Sequence, residues 1–178
     1  MKTEIIYLAG GCFWCTEAVF QSLQGVISVT SGYMGGTLQN PTYHQVAMGT
    51  TGHAETVRIE YDSKIISLDN ILEVFFDTHD PTSLNQQGND VGPEYRSEIF
   101  YVDDTQKEIA EKSRAEYQNK LGEERKIVTN IEKALKFFPA EEYHKNYFKE
   151  HKTSSYCQIV ISPKLEKLKK IHRDKFRT

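Results

Sequence analysis

The stretch Glu4-Ile5-Ile6-Tyr7-Leu8-Ala9-Gly10-Gly11-Cys12-Phe13-Trp14-Cys15-Thr16-Glu17 decides how this chain folds. Glu4 to Ala9 is a short, mainly apolar run that stops at glycine, which reads as a buried strand. Beyond it Ala18, Val19 and Leu23 recur at helical spacing until Gly25 ends the run. The glycine pair lets the chain turn sharply between the two elements and sets Cys12 at the first turn of the helix. Free N–H groups and the positive dipole end there favour an anion. A thiol so placed is drawn from a pKa of ~8.5 into the range ~3.5–7.5. Cys12 therefore reads as a nucleophile. Most free cysteines are small buried hydrophobes, but the glycine pair, the helix start and the aromatic residues that follow favour the chemical reading.

Composition narrows the classes. With 22 Lys and Arg against 25 Asp and Glu, the net charge of −3 offers no field for nucleic acid or membrane. A chain of 178 residues suits one domain, and buries roughly 70% of its unfolded surface without disulfide staples. Its 3 cysteines do not form a secreted disulfide framework. Met1-Lys2-Thr3 leads directly into a strand with no apolar leader, and no run reaches membrane length, so a reducing cytoplasm is expected.

Outward from the opening stretch, residues 26–33 are β-branched and read as a second strand, followed by a glycine- and proline-punctuated loop through Tyr43. In residues 52–62, Val57, Ile59 and Tyr61 alternate with Thr56, Arg58 and Glu60. That parity carries back to Glu55 and His53. A carboxyl on an apolar face has its pKa raised by desolvation, as a general acid near neutrality requires; equally, a strand-end glutamate bends to water or pairs with arginine. His53 reads as a structural loop residue. A helix over 68–78 carries Ile71, Leu72, Phe75 and Phe76, and a polar loop rich in hydrogen-bonding groups spans 82–97. Then come a strand at 98–102, an amphipathic helix at 105–121, a strand at 126–131 and a Tyr/His/Lys-rich helix near 141–150. A polar segment at 154–158 and a basic helix at 163–176, with Leu165, Leu168 and Ile171 on one side, close the chain.

Two strand-helix-strand passages of this kind predict an α+β fold. The expected form is a ferredoxin-like two-layer sandwich, a mixed or antiparallel sheet with helices on one face. Residues 162–178 are expected to form a C-terminal helical extension of a single catalytic domain spanning 1–178. The loops at 33–55 and 82–97 are expected to converge over Cys12.

Gly-Cys-Phe-Trp at 11–14, Asn-Pro-Thr-Tyr at 40–43, Gly-His-Ala-Glu at 52–55 and Gln-Gly-Asn-Asp through Tyr-Arg-Ser at 87–97 stand in this order. Together they resemble the peptide methionine sulfoxide reductases of the A type, over about residues 4–162. The resemblance implies reduction of methionine S-sulfoxide, free and in proteins, by a thiol enzyme, a peptide-methionine (S)-S-oxide reductase. It implies recycling by thioredoxin and no metal or organic cofactor. By the same match Cys12 is the nucleophile and Glu55 the acid that protonates the sulfoxide oxygen. Tyr43 and Tyr95 bind that oxygen, Asp90 supports the network, and Phe13 and Trp14 hold the substrate methyl group. The chemistry fits these types: a sulfoxide oxygen leaves only when protonated, and the sulfenic acid left on Cys12 condenses with a second thiol to a disulfide.

Three departures from the family pattern bear on the site. Glu94 stands where glutamine often precedes Tyr95; Cys15 makes a C-x-x-C with Cys12; and the basic helix replaces the glycine-rich, cysteine-bearing tail of some relatives. For the resolving thiol, Cys157 is favoured because its polar segment reads as mobile and because relatives often carry their recycling cysteine in this region. Cys15 is the alternative. Two other functions compete: a thioredoxin-like dithiol oxidoreductase using Cys12 and Cys15, and a zinc-binding module of Cys12, Cys15, Cys157 and His53.

Overall fold

Alternation along the first strand sets the two faces of the sheet. In the computed structural model, which describes residues 1–178, β1 (Thr3–Gly10) sends Ile6 and Leu8 into the main core and Tyr7 and Ala9 to the opposite face. There follow α1 (Phe13–Gln21), β2 (Val26–Met34), α2 (Tyr43–Ala47), β3 (Ala54–Asp62) and α3 (Leu68–Thr78). A small hairpin, β4 (Gln86–Gln87) and β5 (Asp90–Val91), precedes β6 (Ser97–Tyr101) and α4 (Asp104–Leu121). The chain ends with β7 (Asn130–Lys133), β8 (Phe138–Pro139), α5 (Tyr147–Glu150) and α6 (Ser162–Ile171).

The main sheet runs β7-β6-β1-β3-β2-β8. β1 pairs antiparallel with β3 and β6, and β3 with β2, so β1-α1-β2 and β3-α3-β6 each step over one strand. This is the ferredoxin-like α+β sandwich. β7 lies parallel to β6 and makes the sheet mixed. Phe13, Val19 and Phe20 of α1 and Ile71, Leu72, Phe75 and Phe76 of α3 close on one face. Burial of each such side chain is worth ~1.5–3 kcal/mol. The other face holds a small cluster, Ala9, Met34, Ala54 and Phe100, covered by Tyr7, Ala134 and Phe137.

The second half departs from the sequence expectation in four places. β7 starts at Asn130, because Ile127 and Val128 give their N–H groups to Gln118 Oε1 and the Pro81 carbonyl instead of to a strand. The helix expected near 141–150 is broken into a 3-10 turn, Glu142–His144, and α5. Asn146, at φ 53°, interrupts it: its N–H bonds Glu17 Oε1 and its side-chain oxygen accepts from Gln21. The 154–158 segment is no mobile loop. It is helical from Ser155 and runs through a π turn, Cys157–Ile161, into α6. Finally α6 ends at Ile171, which is exposed, while Phe176 pairs with Leu23 and joins the core beside Leu165 and Leu168. The pull of Asp77 on His172, 2.7 Å, fixes that exit.

Candidate active site

Gly11 sits at φ +90°, where an L side chain is strained, and a Cβ there would stand 2.9 Å from Gln87 Cγ. The turn is therefore glycine's, and it lets the β4–β5 hairpin lie against the start of α1. Cys12 becomes the N-cap: its carbonyl accepts the N–H groups of Cys15 at 3.1 Å and Thr16 at 3.4 Å. Its thiol takes no helical N–H. The first free donor, Phe13 N–H, goes to Glu55 Oε1 at 3.1 Å. The thiol is governed instead by a hydrogen bond with Cys15, which with burial and the Glu55 charge pushes Cys12 well up. The same bond with Cys12 draws Cys15 down to about 7 against its burial. The helix end alone does not make the thiolate, contrary to the sequence reading. A dithiol does, giving up its first proton near neutrality as a pair.

Glu55 is second in β3, on the face of Val57, Ile59 and Tyr61, and is 2% exposed. It neither bends to water nor meets an arginine. Burial pushes its carboxyl up to about 8 against the Phe13 N–H, with the charges of Asp90 and Glu94 adding to the rise. Its Oε2 has no partner. At neutral pH it is an acid with a proton to give.

Two phenols face it. Tyr43 opens α2, which is capped by Thr42 and Gln45 in a reciprocal box, and Tyr95 closes the 3-10 turn Pro93–Tyr95. Burial raises both phenols, and Glu55 is the charge that raises each of them most. Phe13 is fully buried between Tyr33 and Tyr43, at ring distances of 5.8 and 6.2 Å. Trp14 is half-buried; its ring stacks on Tyr147 at 3.7 Å and its Nε1–H donates to His144 Nδ1 at 3.0 Å. Of the two, Trp14 keeps the face that a ligand can reach.

On the other side of Cys12 a cleft of about 470 Å³ is lined by Cys15, Asp90, Tyr156 and Lys164, among others. The Tyr156 hydroxyl donates to Asp90 Oδ2 at 3.5 Å and lies 3.6 Å from Cys15 Sγ. Cys157 is fully buried in a cluster with Cys15, Ala18 and Ile161, with Cys12 packed against it. So both the 33–55 and the 82–97 loops do reach Cys12, and all three thiols gather at one end of α1. His53 stays outside: Gly36 N–H donates to its Nδ1 at 3.0 Å and its Nε2 contacts the Leu38 carbonyl at 2.7 Å. It cannot complete a zinc set with the cysteines, and no group of three or more ligating side chains forms elsewhere.

Sequence reasoning missed Glu141, His144, Tyr147 and Tyr156. Glu141 accepts from the Tyr33 hydroxyl and from Tyr43 N–H, both at 2.9 Å, and so ties β2 and α2 to the far end of the chain. The density of tyrosine and histidine at 143–151 is the only signal for the first three, and by sequence it reads as a helix, whereas Tyr156 falls in a segment that reads as polar and mobile.

A neutral buried carboxyl, two phenols and a dithiol around one opening define a thiol redox catalyst that works on a polar oxygen. Comparison with known sequences agrees. A sequence profile described as peptide methionine sulfoxide reductase matches residues 4–176. The chain is 51% identical over 172 residues to peptide methionine sulfoxide reductase MsrA of Saccharolobus solfataricus, covering 97% of this chain and 96% of that one. It is 52% identical over 169 residues to MsrA of Picrophilus torridus, covering 93% of each. Among solved structures, reduced Mxr1 of Saccharomyces cerevisiae superposes with a TM-score of 0.82 at 34% identity, covering 88% of this chain and 90% of that one. Mxr1 in complex with Trx2 superposes at 0.59 with 26% identity, covering 82% and 85%. The chain belongs to the peptide methionine sulfoxide reductase family. Its reaction is thiol-dependent reduction of methionine sulfoxide.

Proposed function

We propose that Cys12 attacks the sulfur of methionine S-sulfoxide, free or in a protein, while Glu55 gives its proton to the oxygen. The observation that carries this is the bond from Phe13 N–H to Glu55: it holds a protonated carboxyl one residue from the thiol. Tyr43 and Tyr95 donate to the same oxygen, and Asp90 supports the opening through Tyr156. Trp14, backed by Phe13, takes the methyl group; sulfur–aromatic contact is worth about 0.3–1.5 kcal/mol. The protonated oxygen passes from the methionine sulfur to the Cys12 sulfur as the methionine S–O bond breaks; methionine leaves with the electron pair, and Cys12 is left as sulfenic acid. A second thiol displaces the oxygen as water and forms a disulfide. A dithiol reductant then supplies two electrons and two protons, restoring both thiols. The electron balance closes without metal or organic cofactor. Thioredoxin is the reductant we assign, in keeping with the Mxr1–Trx2 complex of the yeast neighbour. Such recycling needs a reducing compartment, so we place the enzyme in the cytoplasm, as a single catalytic domain over 1–178; no helix is long and apolar enough to cross a membrane.

Cys157 remains our choice of resolving thiol, on a new ground. It is buried rather than accessible, but it packs beside the thiol pair on a π turn, a locally weak form of helix. A second reading has its own support: Cys15, one turn along α1, is the group that most perturbs the Cys12 thiol. One equivalent of methionine sulfoxide, followed by peptide mapping, separates them. Cys157→Ser is expected to stall after the first methionine; a Cys12–Cys15 bridge with full recycling would transfer the role to Cys15. A dithiol oxidoreductase of thioredoxin type would leave Glu55, Tyr43 and Tyr95 without work. It would reduce protein disulfides and leave both sulfoxide epimers untouched.

A further inference from the structure

The cleft beside Cys12 does not end at its far wall. Gln87 and Lys164 line it on one side and a second cavity, of about 550 Å³, on the other. That wall is held in place: Gln87 Nε2 donates to the Asp80 carbonyl at 2.6 Å, and its Oε1 accepts from Asp80 N–H at 2.9 Å. Leu165 and Leu168, buried in the core, fix which side of α6 faces this space. Lys164 and Lys167, neighbours on one helix face, both line the second cavity. Lys169 and Lys170, further along α6, line neither. The carboxylates of the second cavity are already matched. Asp80 takes Arg125 at 3.2 Å, and Asp77 takes the Tyr117 hydroxyl at 2.6 Å and His172 at 2.7 Å. Lys164 and Lys167 have no carboxylate within ion-pair distance. Lys164 is half-buried, and its charge acts on Cys15 and Asp90 on one side of the wall and on His79 on the other. In a chain of net charge −3, the trough that leads away from Cys12 thus meets two unmatched ammonium groups.

We propose that the second cavity is an extended substrate subsite that takes an acidic side chain, Asp or Glu, about three residues from the methionine sulfoxide in the protein substrate. The inference deepens the reading of Cys12 as the nucleophile and rests on it. A cleft of about 470 Å³ is roughly 10 Å across, which an extended peptide spans in about three residues at ~3.3–3.6 Å each. A peptide whose sulfoxide sits over Cys12 therefore brings its third neighbour to Lys164. There a carboxylate pairs with Lys164 and Lys167 without breaking any ion pair of the protein. Asp90 stands at the Cys12 end of the trough, so a carboxylate directly beside the sulfoxide is repelled. Free methionine sulfoxide carries its carboxylate too close to its own sulfur to reach the second cavity. The pairing touches no reacting atom, so it strengthens binding and leaves the chemical step alone.

The test is single-turnover methionine formation, without reductant, against the concentration of blocked heptapeptides at low ionic strength. Each has a central methionine S-sulfoxide and glutamate, glutamine or lysine three residues to one side or the other. On one side, glutamate is expected to lower the half-saturating concentration about three- to tenfold against glutamine at unchanged maximal rate, as two partly exposed ion pairs do. Lysine raises it, and high salt erases the difference. Lys164→Gln combined with Lys167→Gln brings the glutamate-to-glutamine ratio to one, and Lys167→Glu turns the preference towards lysine. The ratio is taken within each enzyme, so any effect of Lys164→Gln on the nearby thiols cancels. Equal half-saturation by glutamate and glutamine peptides on both sides in the wild type overturns the subsite, as does a ratio that survives the double substitution. A deficit of the double variant confined to thioredoxin-coupled turnover also overturns it and gives the lysines to the reductant. Failure to reduce even the glutamine peptide would instead overturn the assignment of the substrate to Cys12.

Discussion

At the scale of the residue, Glu55 carries opposite consequences for stability and for chemistry. Its folded pKa of about 8 lies above the ordinary value of 4.5 because burial disfavours the anion. Between those values the folded chain keeps a proton that the unfolded chain releases, so stability falls as pH rises through that window. Below it the group adds no pH-dependent cost. Glu55→Gln has no such titration, and its stability relative to wild type should grow from acid pH to above 8, on the order of a few kcal/mol. Urea denaturation at several pH values measures this; parallel curves would mean a Glu55 that titrates normally. The same variant should slow the chemical step by roughly 10²–10⁴-fold, the usual worth of a positioned acid. Alternation along β3 was enough to put Glu55 on the apolar face, but not to choose between acid and structural partner. That choice depends on Phe13 N–H, a contact between residues 42 positions apart in the chain.

At the scale of the element, the first strand, the glycine turn and α1 were legible because they obey local rules: period two, a positive φ, then period 3.6. Gly11 joins them to the β4–β5 hairpin. Gly11→Ala must strain φ +90° and press Cβ on Gln87 Cγ. We expect a loss of ~1–3 kcal/mol in stability and up to about 10²-fold in single-turnover rate, because the hairpin bearing Asp90 is displaced. An enzyme with full rate would show the hairpin to be a bystander. The π turn was not legible. Ser154-Ser155-Tyr156-Cys157-Gln158 is polar and aperiodic, yet it is held by Tyr156 reaching Cys15 and Asp90 and by Cys157 burying against Cys15. Such tertiary ties leave no periodic trace. The same holds for Asn146, where bonds to Glu17 and Gln21 break a helix that composition favoured.

At the scale of the whole molecule, the strand order β6-β1-β3-β2 followed from two strand-helix-strand passages, but both edge strands depended on what the edge offered. β7 begins four residues late because pairing, not propensity, placed it, and β8 is a two-residue strand on β2. The C-terminal segment is no loose extension: Leu165 and Leu168 of α6, and Phe176 beyond it, belong to the main core. Leu168→Ala should cost ~2–5 kcal/mol, read as a lower urea midpoint at unchanged slope; a loss below 1 kcal/mol would mean that α6 is only draped over α3. The central claim is that one thiol of a dithiol and one protonated carboxyl act together on the sulfoxide. It is tested most directly by single-turnover methionine formation from the separated S epimer across pH. The account predicts one methionine per enzyme, a bell-shaped profile between the first thiol ionisation near 7 and the Glu55 ionisation near 8, and no product from Cys12→Ser. Product from Cys12→Ser, or the same bell in Glu55→Gln, would contradict it.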